Sequence, residues 1–245
     1  MLLAAGRQSR AALCPQPPQP ETSPAGLLRR AVGIKRHLQG LSLDDQVELF
    51  LFPGGYAGIN PVEGGRANLC LLVEGEAFRA AGGQVEGAIA AAAAANPALA
   101  ARLAGARPLA DTTCTVAAVD TRSPPRLWAG LPRLGDAVLM LPPLCGDGMA
   151  MALRGAELCA LGAAAYLRGG CSLAEWAASY AAAWRDEFEA RVRLAHALQG
   201  LLMQPRLAGG LLTLGAWLPW AADYVVRATR GSVGDPSSLS TLESG

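Results

Sequence analysis

The residues best suited to chemistry lie together between Gly135 and Gly148, in the stretch GDAVLMLPPLCGDG. Asp136 lies in an apolar segment predicted as a strand, and a buried carboxylate there needs hydrogen-bond donors. The hydroxyls of a polyol are such donors, because an ionised carboxylate only accepts hydrogen bonds. Gly146 and Gly148 remove side chains where a ligand can approach the backbone. The spacing therefore predicts a site in which one acid holds a polyol.

An alanine-rich run with helical character begins at about Asp147. The first turn of a helix has unpaired N–H groups and the positive end of the helix dipole, which suit an anionic or electron-rich ligand edge. Pro142 and Pro143 stiffen the turn before it. Asp147 has two interpretations, an N-cap or a ligand contact. Cys145 is either a redox group or a small buried hydrophobe, and the second is favoured.

Composition limits the classes of function. The net charge is +1, only 17% of the residues are charged, and no basic stripe carries interleaved aromatic residues, which argues against nucleic-acid binding. The six cysteines include no C-x-x-C pair and the chain has only His37 and His196, so a zinc site is not expected. His37 is interpreted as a surface histidine on a strand rather than a base, and His196 as a structural residue of the late helix. The opening MLLAAGRQSR lacks the basic start of a secretory signal, which favours a cytoplasmic protein with reduced thiols.

Apolar segments separated by glycine turns predict an antiparallel sheet in the first half of the chain. Tyr56 and Asn60 lie on one of its strands, and they either face a substrate cavity or pack within the sheet. A helix is predicted over 84–95, where the alanines are interpreted as close packing rather than low complexity. The predicted strands cover residues 31–38, 47–52, 56–62, 67–73, 110–119, 126–129 and 134–141.

The last third of the chain is predicted to be helical. Ser172 and Glu175 have the spacing of a capping box at the start of a helix. Five large side chains follow at i, i+4 spacing, which favours a core seam over cofactor stacking. They are Trp176, Tyr180, Trp184, Phe188 and Val192.

The remaining segments are less informative. Residues 11–27 are rich in proline and are predicted as an extended or flexible connector, and the final residues as a disordered tail. No run reaches the roughly 20 apolar residues that span a bilayer. The apolar segment 209–226 is interrupted by Pro219 and charged at Asp223, so it is interpreted as a lid or buried segment, with a membrane-surface role as the alternative.

The stretch GDAVLMLPPLCGDGMAMALRGAELCA resembles the Gly-Asp motif of FAD-dependent oxidoreductases of the aromatic-hydroxylase and geranylgeranyl-reductase type, roughly G-D-A, a spacer, then P-x-x-G-x-G. The resemblance implies that Asp136 holds the ribitol of FAD. It also implies that the backbone at 146–149 faces the N1–C2 carbonyl edge of the flavin. The cofactor-binding residues implied are Gly135, Asp136, Pro143, Gly146, Asp147, Gly148 and Met149.

A second segment, FPGGYAGINPVEGGRANLCLLV, resembles the substrate-domain hairpins of the same family. The implied fold is α+β. An antiparallel or mixed substrate-domain sheet with helices is followed by part of an FAD-binding α/β domain and a C-terminal helical region. The implied divisions are a remnant and linker at 1–30, the sheet domain at 31–130, the Gly-Asp segment at 131–170, helices at 171–230 and the tail at 231–245.

The family's opening βαβ unit, with its G-x-G-x-x-G loop for the pyrophosphate, has no counterpart in this sequence. Residues 3–9 resemble a remnant of the next family motif, G-A-D-G-x-x-S, with Ala5 in place of the acid. The sequence is therefore expected to be a truncated product, to have a mis-called start, or to be one half of a split protein whose partner is a separate N-terminal half.

The resemblance implies an FAD-dependent monooxygenase or reductase acting on a hydrophobic small molecule, with NAD(P)H as a candidate electron donor. No residue is assigned as a catalytic acid or base. The first alternative is a non-catalytic remnant or binding module that has lost FAD, which follows from the missing phosphate-binding loop. The second is a peripheral membrane protein anchored by 209–226.

Overall fold

A computed structural model of the chain describes residues 4, 30–204, 209, 210, 217, 218 and 220. The Pro-rich connector, the tail and most of the segment 209–226 lie outside the described residues. The chain forms two compact units. The sheet unit contains residues 16–120 and 200–212. The helical unit contains residues 121–199 together with 1–15 and 213–245.

Antiparallel strands form the sheet unit. Strands β1 (Ala31–Gln39), β2 (Glu48–Phe52), β3 (Gly55–Val62) and β4 (Arg66–Glu74) were all predicted from sequence. They lie in the order β2-β3-β4-β1, and β1 also pairs with β5 (Arg107–Pro108) and β6 (Cys114–Val119). Positive φ angles at Gly54, Gly64 and Gly65 make the tight turns that join β2 to β3 and β3 to β4.

Helices cover one face of this sheet. They are α1 (Gly75–Ala80), α2 (Val85–Ala95) and α3 (Pro97–Leu103), of which only α2 was predicted. Ala88 and Ala92 of α2 and Leu99 of α3 pack in one core with apolar sheet residues. The small side chains of the alanine run thus allow close packing, as interpreted from sequence.

Two ion pairs fasten the helices to the sheet. Arg36, buried on β1, contacts Glu86 of α2 through both guanidinium NH groups and donates from Nε to Thr113 Oγ1 at 2.9 Å. The hydrogen bond from Arg36 lowers the pKa of Glu86 below its usual value. Arg102 of α3 donates from Nε to Glu48 Oε2 of β2 at 2.8 Å.

The helical unit begins with irregular chain where two strands were predicted. Residues 126–129 form no strand, and only an isolated bridge joins Trp128 to Pro132. The predicted strand 134–141 is also wrong, because Gly135 has a φ of 56° and starts a short 3-10 helix at Gly135–Ala137. The predicted strand 110–119 forms only from Cys114 onward.

Two long helices complete the helical unit, α4 (Gly148–Leu167) and α5 (Leu173–Leu202). The predicted capping box is confirmed, since Glu175 N donates to Ser172 Oγ at 3.2 Å and Ser172 N donates to Glu175 Oε2 at 2.7 Å. The predicted seam is also confirmed: all five of its large side chains on α5 are buried in one core cluster.

Helix α4 packs on this seam through Met151, Gly155 and Cys159. Trp176 of α5 donates from Nε1 to Cys159 O at 3.1 Å. Among the described helices, α4 alone has the length and mean hydropathy (1.2) of a membrane span, which is weak grounds for one because core helices share both properties.

Candidate functional site

A pocket in the helical unit lies where the Gly-Asp turn meets the start of α4. Its cavity volume is about 20 Å³, and the value reaches about 350 Å³ only when open solvent is counted. The turn contributes Gly135 and Asp136, the start of α4 contributes Gly148, and the seam contributes Tyr180 and Trp184. The other lining residues are Val138, Leu139, Leu141, Met151, Ala152 and Gly155. The structure thus brings the predicted acid and the predicted helix start to one pocket.

Asp136 is exposed in the short 3-10 helix, whereas the sequence predicted it within a strand. The flanking residues explain the position, because Leu134 and Ala137 are buried on either side of the turn. An exposed carboxylate at a pocket wall carries no desolvation penalty before a ligand arrives. It can therefore accept hydrogen bonds from ligand hydroxyls.

The start of α4 leaves backbone open to the pocket. A Cβ built on Gly148 would have no other atom within 4 Å, and the same is true of Gly146, whose φ is 66°. The first hydrogen bond of the helix is the one from Met151 N to Asp147 O, at 3.0 Å. The N–H groups before Met151 have no acceptor within the helix, and they lie at its positive end.

Asp147 was predicted as an N-cap or a ligand contact, and its side chain instead forms an ion pair. It occupies the N-cap position, but its side chain makes no capping hydrogen bond. Its side chain is only 8% exposed, and Oδ2 lies 3.7 Å from NH1 of Arg191 on α5. This ion pair was missed from sequence, because the partners are separated by 44 positions (191 − 147) and nothing in the sequence links them.

The other predicted site residues lie outside the pocket lining. Met149 is 82% exposed, while Pro143 and Gly146 precede the helix in the chain. Tyr56 and Asn60 lie on β3, in the sheet unit. Tyr56 is buried, and Asn60 Oδ1 accepts a hydrogen bond from Asn68 Nδ2 of β4 at 3.2 Å. The interpretation of Cys145 concerns a side chain outside the described part of the structure.

The wall formed by α5 is buried and hydrogen-bonded to the Gly-Asp turn. Tyr180 is 2% exposed, and its hydroxyl donates to the carbonyl oxygen of Arg133 at 2.9 Å. Burial, with a smaller contribution from Cys159, raises the pKa of Tyr180 above its usual value. Tyr180 therefore stays neutral and acts as a structural donor that ties the Gly-Asp turn to α5. Trp184 stands beside it, with its ring centroid 5.4 Å from that of Phe188.

The donor and acceptor set fits the ribitol and ring edge of a flavin. Asp136 is an accessible acceptor for hydroxyls, and the open backbone at Gly148 forms a cradle that a side chain would fill. Apolar side chains and Trp184 supply the remaining walls. No described residue in the pocket supplies a site for the adenosine or the pyrophosphate.

The fold of this chain is similar to that of several solved structures. No family model and no curated protein matches the sequence. Among solved structures, the flavin-dependent brominase Bmp2 is 20% identical with a TM-score of 0.67, and the match covers 85% of this chain and 52% of Bmp2. The chain has the fold of part of a flavin-dependent oxidoreductase.

Two further structures share the fold. PqsL from Pseudomonas aeruginosa, described as a probable FAD-dependent monooxygenase, is 21% identical with a TM-score of 0.57; the match covers 86% of this chain and 58% of PqsL. A geranylgeranyl bacteriochlorophyll reductase-like protein from Thermoplasma acidophilum is 17% identical with a TM-score of 0.56, over 73% and 44% of the two chains. This chain spans about half the length of the structures that it matches. The α+β fold expected from the family resemblance is confirmed.

Proposed function

We propose that this chain binds the ribitol and ring end of FAD and forms part of an FAD-dependent oxidoreductase, a monooxygenase, halogenase or reductase. The observation that carries the proposal is the single pocket shared by Asp136 and the start of α4. When bound, FAD supplies the redox chemistry through its ring, while the protein holds, orients and shields it.

Asp136 would hold the ribitol by accepting hydrogen bonds from its hydroxyls. A hydrogen bond to a charged group contributes about 1.5–3 kcal/mol. The unpaired N–H groups at the start of α4 would donate to the electron-rich carbonyl edge of the ring. Tyr180 would not touch the reacting atoms, since its hydroxyl is engaged by Arg133. No described residue is assigned as a catalytic acid or base.

The proposed substrate is a hydrophobic small molecule, and Tyr56 and Asn60 of the sheet unit are its proposed candidate contacts. The hydrophobic character of the substrate is supported by two apolar side chains, Trp217 and Trp220, which are 81% and 71% exposed. NAD(P)H is proposed as the electron donor and the cytoplasm as the compartment. A nucleotide-binding half, in the same polypeptide or a separate one, would complete the cofactor site.

The test is a titration of the purified chain with FAD and, separately, with FMN, followed by flavin fluorescence. FMN has the same ring and ribitol without the adenosine. Because the described pocket offers contacts only to the shared part, we expect the two dissociation constants to agree within about threefold. Asp136→Ala is expected to weaken both by about tenfold to a hundredfold, from the loss of charge-assisted hydrogen bonds.

Asp186→Ala is the matched control, because Asp186 is exposed on α5 and lines no part of the pocket. Its flavin affinity should equal that of the unaltered chain. A chain that binds neither flavin would support the non-catalytic remnant. Equal losses in the Asp136 and Asp186 variants would place the flavin elsewhere. Sedimentation with liposomes without flavin binding would instead favour the peripheral membrane alternative.

A further inference from the structure

A buried acid stands behind the proposed flavin contact. Asp147 directly precedes Gly148, and its side chain is 8% exposed at the N-terminal end of α4. A carboxylate in this position has a full negative charge, whereas the helix end has about half a positive charge. Unless a cation neutralises Asp147, the electrostatic potential at the start of α4 is negative. A negative potential disfavours the edge of the flavin ring that gains negative charge on reduction.

Arg191 is the cation that the structure places next to this acid. Its NH1 lies 3.7 Å from Asp147 Oδ2, and its NH2 donates to Glu187 Oε1 at 2.7 Å. Its guanidinium carbon also lies 5.3 Å from the centre of the Phe188 ring. The side chain is 18% exposed, so solvent screens it only in part. These contacts hold Arg191 on the side of α5 that faces the start of α4.

Glu187, the second acid next to Arg191, also pairs with another cation. Arg154 of α4 lies with NH2 3.7 Å from Glu187 Oε2 and donates from NH1 to Glu157 at 2.9 Å. Ion pairs thus link Asp147, Arg191, Glu187, Arg154 and Glu157, whose charges alternate in sign along this series. Removal of Arg191 takes one of the two cations from this network of three acids and breaks its ion pair with Asp147.

We propose that Arg191 is a positioning residue that neutralises Asp147 and so keeps the start of α4 attractive to the flavin edge that gains negative charge on reduction. This inference rests on the proposed function. Its consequence is a preference: Arg191 should raise the affinity for reduced flavin relative to oxidised flavin. A purely structural residue would alter both affinities equally.

The experiment measures the two-electron midpoint potential of flavin bound to the chain, against that of the free flavin. In Arg191→Gln we expect reduced flavin to lose about tenfold in affinity relative to oxidised flavin, as removal of one partly screened charge predicts. That ratio corresponds to a fall of about 30 mV. Arg191→Lys, which keeps the charge, should retain most of the original potential.

Asp147→Asn separates charge balance from packing. Introduced alone, Asp147→Asn should raise the midpoint potential of the bound flavin, because no negative charge at position 147 then offsets the positive end of α4. Combined with Arg191→Gln, it should return the potential close to that of the unaltered chain. Arg193→Gln is the matched control, since Arg193 is 74% exposed on the same helix and pairs with Glu189 at 3.6 Å; its potential should not change.

Two results would overturn the inference while the proposed function stands. One is a potential in Arg191→Gln equal to that of the unaltered chain. The other is a double variant that remains as low as Arg191→Gln alone. If Arg191→Gln does not fold, as judged by circular dichroism, the single Asp147→Asn variant decides, and an unchanged or lower potential rejects the idea. A chain that binds no flavin at all rejects the proposed function and this inference with it.

Discussion

At the scale of single residues, a substitution at Gly148 should affect flavin binding without reducing the stability of the fold. Its Cβ position is empty to 4 Å and faces the pocket, so alanine meets no protein atom there. Gly148→Ala should leave the protein as stable or stabilise it by about 0.5 kcal/mol, because alanine restricts the unfolded chain more than glycine does. It should nevertheless weaken flavin binding, since the methyl group occupies the cradle.

The measurement pairs urea denaturation with flavin titration on the same preparation. Gly146→Ala is a useful contrast, because Gly146 has a φ of 66°, and the substitution there strains the backbone whatever the space. We expect Gly146→Ala to lose stability as well as affinity. A Gly148→Ala chain that binds flavin as tightly as the unaltered chain would show that the ligand does not approach this part of the backbone.

The ion pair between Asp147 and Arg191 shows where residue-level prediction from sequence ends. Asp136 was identified because an acid beside glycines and prolines is a local pattern. The role of Asp147 depends on a side chain one helix away, and the one-dimensional pattern around position 147 favours capping equally well. Buried charges take the partners that tertiary packing brings to them, so sequence spacing alone does not predict them.

At the scale of elements, the packing of α4 on α5 requires glycine at position 162 but leaves room for a larger residue at position 155. A Cβ on Gly162 would lie 2.1 Å from Cδ1 of Trp176, which is buried and held by the hydrogen bond to Cys159 O. At Gly155 the nearest atoms, on Trp184 and Phe188, are 3.9 Å away. The two glycines are in the same helix and face the same partner.

We expect Gly162→Ala to lower the free energy of unfolding by about 1–3 kcal/mol, because overpacking against Trp176 exceeds the gain in helix propensity. Gly155→Ala should be neutral or stabilising by up to about 1 kcal/mol, since only the propensity changes. Urea denaturation of the two variants measures both. Equal effects at 155 and 162 would contradict the close approach of α4 to α5.

The sequence predicted strands correctly where glycine turns mark both ends of the strand, and incorrectly where no such turns mark the ends. Strands β2, β3 and β4 are separated by turns with positive φ, and apolar residues between such turns have few alternatives. The stretch 134–141 is equally apolar, but Gly135 turns it into a 3-10 helix, and it pairs with no strand. Apolar character alone does not distinguish a strand from a buried irregular segment.

At the scale of the whole molecule, the family resemblance predicted the fold more completely than periodicity did. The α+β organisation follows from local patterns, whereas the expected fold of part of a flavin-dependent oxidoreductase rested on the resemblance of the Gly-Asp motif and of the hairpin segment. Structures of 17–21% identity confirm that fold. The structure divides the chain between residues 120 and 121 into the sheet unit and the helical unit.

The placement of tryptophan allows the two units to be followed separately. All five tryptophans lie outside residues 16–120 and 200–212, while the described strands all lie within the sheet unit. Tryptophan fluorescence therefore reports on the helical unit, and hydrogen exchange measured in peptides from β1 to β4 reports on the sheet unit. A ligand stabilises the unit that it binds by RT ln(1 + [L]/Kd), about 2.7 kcal/mol at a hundred times Kd.

We expect saturating FMN to raise the urea midpoint detected by tryptophan fluorescence more than the midpoint detected by hydrogen exchange in β1 to β4, because the pocket is built from the helical unit alone. The Asp136→Ala variant at the same FMN concentration should show a smaller difference between the two midpoints, which controls for effects of FMN on the fluorescence signal. Equal shifts in both transitions would mean that the two units unfold as one, and no shift in either would mean that the pocket does not hold the flavin.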